Sequence, residues 1–148
     1  MSWQVEFHGY VYPGAPPSLN YNYFEVIPSA GWDFGPVAVT GGVAISPNYF
    51  GGSRLAVWPY GEVTVPIPLD VLTPYKVAFI GHFGYQFIER NANFGTPDYA
   101  EWTVGAQATV YGLNVKLQYV DTNLSKAKCF GGTTLCKAAA LFTVSKTF

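Results

Sequence analysis

Cysteine, histidine and carboxylate side chains are where chemistry would reside in this sequence, and they are few. Cys129 and Cys136 flank Phe-Gly-Gly-Thr-Thr-Leu. A structural zinc site would need further ligands close by. The histidines, His8 and His82, are remote from that stretch in sequence. A disulfide closing a loop in an oxidising compartment is the better reading. No Cys-x-x-Cys redox motif is present. His82 can be imagined with Glu62 or Glu101 as an acid–base pair, but no serine stands in a recognisable nucleophile context. Gly51-Gly52 and Gly131-Gly132 read as turn glycines, not as a phosphate cradle. Asn123-Leu124-Ser125 matches a glycosylation sequon by chance. The sequence therefore predicts no enzyme, no metal and no cofactor.

The elements that carry these groups are strands. Trp102, Val104, Ala106, Ala108 and Val110 alternate with Glu101, Thr103, Gln107 and Thr109. Val115, Leu117 and Tyr119 alternate with Asn114, Lys116 and Gln118. Ala138, Ala140, Phe142, Val144 and Phe148 close the chain, opposite Thr143, Ser145 and Thr147. A period of two marks a strand with one apolar and one polar face. The same pattern covers Gln4–Tyr12, Leu19–Ala30, Val37–Ser46, Leu55–Ile67 and Tyr75–Ile88, with Pro59 suggesting a bulge. Pro13–Ser18, Pro47–Arg54 and Glu89–Asp98 are loops, Pro66–Pro74 is a turn region, and no helical period intervenes. The result is about eight strands in a single domain over residues 1–148.

Composition narrows the class. Only 11% of the 148 residues are charged and 18% are aromatic, with 16 Gly and 11 Pro; an average domain carries about a quarter charged residues. No apolar run is long enough for a transmembrane helix. The net charge of −1 offers no basic footprint for nucleic acid. No signal peptide is visible, so an exported form would be mature or trimmed. Connections after strands one, three, five and seven are mostly long, and those after two, four and six tighter, the habit of outer-membrane barrels. Aromatics near strand ends, Trp3, Trp32, Trp58 and Trp102 among them, fit interfacial girdles. A stacked core, or a sugar-binding surface of Tyr10, Tyr12, Tyr21 and Tyr23, is the other reading.

Several blocks carry a family resemblance: YVYPGAPPSLNYNYFE, ISPNYFGGS, YAEWTVG, LQYVDTNLSKAKC and LCKAAALFTVSKTF. Together they resemble the TorF family of outer-membrane porins, most specifically in the YVDT…C…C…VSKTF block. The resemblance implies an antiparallel up-and-down transmembrane β-barrel in the bacterial outer membrane. It also implies two partners: the lipid bilayer, and the outer-membrane assembly machinery acting through the C-terminal strand ending at Phe148. Family members have further N-terminal strands, so eight strands closing alone and a part of a larger barrel both stay open.

In such a barrel Glu6, His8, Glu25, Glu62, His82, Glu101 and Lys116 line the interior. Gly42, Gly84 and Gly105 fall in the same phase, where missing side chains are expected to leave room. The carboxylate excess predicts a narrow channel with weak cation preference, or a plugged barrel. The alternative is a soluble exported barrel or sandwich that binds a small apolar ligand or a partner. The two differ in where the apolar phase points: to lipid in one, to a core in the other. Alternation alone is symmetric between them.

Overall fold

A computed structural model describes residues 1–146. It is all-β: eight strands in one antiparallel meander, each paired with the next in chain order. The strands are β1 Ser2–Tyr10, β2 Tyr23–Asp33, β3 Ala38–Ser46, β4 Ala56–Pro66, β5 Ala78–Ile88, β6 Tyr99–Val110, β7 Leu113–Thr122 and β8 Ala139–Ser145. Among the described residues β1 and β8 are not paired, so the sheet is not closed. The last residues of the expected closing strand, Thr147 and Phe148, lie outside the described residues, and with them the predicted C-terminal contact with assembly machinery.

Strand boundaries move where local chemistry overrides alternation. Leu19 belongs to a 3-10 turn, Pro17–Leu19, initiated after Pro16-Pro17, so β2 begins only at Tyr23. Residues Asp70–Tyr75 form a second 3-10 turn that ends on Lys76 in the left-handed region, so β5 begins at Ala78. A short helix, Asn91–Phe94, occupies the loop after β5 and ends on Gly95 at positive φ, where glycine is the unstrained residue. Pro59 makes no bulge. It pairs with Val43, and the β4–β5 ladder resumes on the same register after a gap at Trp58 and Pro59. Pro28 leaves a similar gap between β2 and β3. Proline lacks the donor, and the ladder skips it without shifting.

Register decides which face each residue takes. Ser29, Gly42, Tyr60, Gly84, Glu101 and Thr122 lie opposite one another in successive strands. Thr40, Glu62, His82 and Thr103 form the next row. The polar phase of every strand therefore shares one face. The opposite face carries Val5, Phe7, Val39, Val63, Phe79, Phe83, Val104, Leu117, Phe142 and Val144, all exposed. Phe7 is 76% exposed and Phe142 65%, so the apolar face is not a core. Small residues are buried on the polar face instead: Ala44, Ala56, Ala78 and Ser46.

The polar face is the concave one. Glu62 on β4 and Lys116 on β7 line a common cavity of about 110 Å³. In a flat sheet three strand spacings would hold their backbones about 14 Å apart. Among the described residues the cluster of buried apolar side chains lies at the long-loop rim, not between layers. Ala56, Ile88 and Phe94 form it, with Tyr49, Phe50 and Tyr99 packed around them. Loop backbones tie it down: Gly51 N–H donates to the Asn20 carbonyl at 3.0 Å, and Arg90 N–H to the Ser53 carbonyl at 3.0 Å. Cys129 and Cys136 are disulfide-bonded as expected. Their loop sets Phe130 edge-on to Phe94, with ring centroids 5.3 Å apart.

Candidate functional site on the concave face

His82, at the middle of β5, organises the concave face. Its Nε2 lies 2.7 Å from Glu101 Oε1 on β6, and its Nδ1 lies 3.4 Å from Glu62 Oε1 on β4. Glu62 is the direct cross-strand partner of His82, whereas Glu101 is diagonal to it and sits opposite Gly84. That diagonal contact depends on glycine. A Cβ on Gly84 would run into the Glu101 carboxylate and the Trp58 indole. The Tyr60 ring stacks on the imidazole at 5.7 Å and 22°, and Trp58 lies 5.4 Å away. A Cβ on Gly42 would collide with the Tyr60 ring.

The inward glycines therefore do not leave room. Tyr60 fills the space over Gly42, Trp58 and Glu101 fill it over Gly84, and the β7 backbone at Leu117 closes on Gly105. Trp58 thus faces inward, apart from the exposed outward pair Trp3 and Trp32. Tyr10 and Tyr23 stack at 4.4 Å, and Tyr21 stacks on Phe50 at 4.3 Å, within the loop cap. Burial in that cap, with the neighbouring Tyr99 adding to it, pushes the Tyr49 phenol pKa well above its ordinary value.

A second polar cluster lies on β1. His8 Nε2 is 2.9 Å from Glu6 Oε2, and the Gln4 side-chain amide donates to Glu6 Oε1 at 2.8 Å. Glu25 lies directly across the strand pair from His8. The register so divides the predicted interior residues into two groups, Glu6–His8–Glu25 and Glu62–His82–Glu101. Lys116 stands beside the second group across their shared cavity.

Chemically, the Glu62–His82–Glu101 group holds charge. Both imidazole nitrogens face carboxylates, and two donated hydrogen bonds require a proton on each nitrogen. The two carboxylates sit on different ring nitrogens and do not converge on one point. Among the described residues no three His, Cys, Asp or Glu side chains form a metal-binding group. Trp58 and Tyr60 escaped the sequence reading as site residues because alternation gives a face, not the neighbour that a ring covers.

The family model for a bacterial protein of unknown function, Gcw_chp, matches residues 1–148. The chain belongs to this family. No curated protein and no solved structure matches it. For this Gcw_chp chain the functional evidence is accordingly its own geometry: an exposed apolar face, and a concave polar face with two carboxylate–histidine groups and Lys116 beside one of them.

Proposed function

We propose that the protein is an integral β-barrel of the bacterial outer membrane, with a narrow water path along its polar face that weakly favours cations. The observation that carries this reading is the direction of the apolar phase. The large apolar residues of the outward phase, among them Phe7, Phe79, Phe83, Val104, Leu117 and Phe142, are exposed and make no core, while small residues such as Ala44, Ala56 and Ala78 are buried on the polar side. A water-soluble barrel would turn that phase inward. Strands β1 to β7, at 9 to 12 residues, match the length a tilted transmembrane strand needs. In hydrocarbon the free edges of β1 and β8 must be paired, because nothing else there satisfies their backbone groups.

Charge gives the proposed selectivity. Glu6, Glu25, Glu62 and Glu101 share the concave face with Lys116, His8 and His82. A small excess of negative charge remains, which favours cations in any continuous water path. Tyr60 and Trp58 make the path narrow. Planar-bilayer conductance across a salt gradient tests the proposal. A small cation-directed reversal potential is expected. An anion-directed one defeats the charge argument, and a silent bilayer reduces the protein to a sealed structural barrel.

A further inference from the structure

The connection between β4 and β5 is long for the tight-turn rim, and it folds back under the concave face. Ile67 N–H donates to the Val77 carbonyl at 2.9 Å, pinching the base of the connection. The 3-10 turn Asp70–Tyr75 then packs against β6. Between this turn and the sheet lies a cavity of about 410 Å³. Pro66, Ile67, Leu72, Val77 and Ala78 make its walls apolar; Thr64, Thr73 and Gln107 add polar groups; Lys76 is its single charged lining residue. The volume and the mixture of apolar wall with a few polar groups are those of small-molecule sites.

Two observations set the chemistry of the occupant. The first is charge: among the described residues that line this cavity there is a cation and no carboxylate, whereas Glu62 and His82 line the adjoining smaller cavity. The second is the backbone. Lys76 has φ +46°, a left-handed conformation in which glycine is the unstrained residue. Lys76 lines this apolar cavity and is itself exposed.

We infer that this cavity binds a small anionic amphiphile, a carboxylate-headed aliphatic molecule whose chain lies against Ile67, Leu72 and Val77 and whose head pairs with Lys76. A photoreactive decanoate tests this on the full chain in lipid nanodiscs, or in detergent-free buffer should the membrane reading fail. Cross-links are mapped by mass spectrometry, with unlabelled decanoate and decanol as competitors. Saturable labelling confined to the β4–β5 connection and its cavity walls is expected, with decanoate the better competitor. Lys76→Asn, which tolerates the left-handed backbone, should weaken decanoate competition roughly fivefold, the worth of one partly exposed ion pair, and leave decanol unchanged. Leu72→Asp should lose both. Unsaturable labelling spread over the outward face overturns the inference, as does a Lys76→Asn protein that still prefers decanoate, or a Leu72→Asp protein that labels like the parent.

Discussion

Phe83→Lys separates a membrane sheet from a soluble one at a single position. Phe83 lies at the centre of β5, opposite Gly61 and Trp102, on the outward face, and is 55% exposed. In water the change would remove exposed apolar surface, and a surface substitution of that kind shifts stability by less than about 0.5 kcal/mol. At the midplane of a bilayer the same lysine costs about 2–4 kcal/mol. That cost corresponds to a fall of roughly 30- to 700-fold in the folding constant. Tyr111→Lys is the control. Tyr111 is 98% exposed in the turn between β6 and β7, outside the strands, where the cost falls to about 0–1 kcal/mol. Urea titrations of folding into lipid vesicles, read by gel mobility before and after boiling, give both values. A Phe83→Lys protein that folds as well as the parent, or stays folded and monodisperse without detergent, refutes the membrane orientation.

Gly84→Ala should destabilise by about 1–3 kcal/mol through overpacking, since the new methyl meets Trp58 and Glu101; Gly41→Ala, whose methyl meets only the Tyr60 carbonyl at 4.0 Å, should be close to neutral, and the two urea midpoints make the comparison. Cys129→Ala should cost at most about 2.5 kcal/mol, because the closed loop is short; circular dichroism of the strands should persist while proteolysis in the 123–138 loop speeds up. Tyr49 gives the pH dependence. Its folded pKa lies above the unfolded value, so the cap keeps its full stability below about pH 10 and loses it as pH rises further. Tyrosinate absorbance against pH should show a late-titrating fraction of phenols, and Tyr49→Phe should reduce the amplitude of that late phase by about one tyrosine.

Strand number and facing were legible because alternation is a property of the chain itself. The row Glu62–His82, with Glu101 in the same phase, could be anticipated as a shared face. A contact of His82 with Glu101 could be imagined, but not its diagonal geometry, which depends on Gly84 being overlain by side chains from two neighbouring strands. For the same reason the inward glycines were misread as free volume. The turn at Pro17–Leu19 was hidden by Leu19, which extends the strand pattern into a segment where proline dictates the backbone, whereas Asp70–Tyr75 falls largely inside the turn region expected at Pro66–Pro74. The direction of the apolar phase was outside the reach of the sequence, since a pattern of period two reads the same from either side.

The loop cap divides the molecule's stability between two solvents. On the membrane reading, the strands owe their order to hydrocarbon on the convex face, while at the strand ends Ala56 and Ile88 join Phe94 of the loop helix in a small dry core at the rim that faces water. Denaturant and heat act on the second through water and on the first through the lipid. The cap and the sheet are then separate cooperative units, and one can open while the other persists. A single melting temperature would describe neither. Urea should first loosen the rim, and hydrogen exchange should grade from the loops toward the middle of the strands.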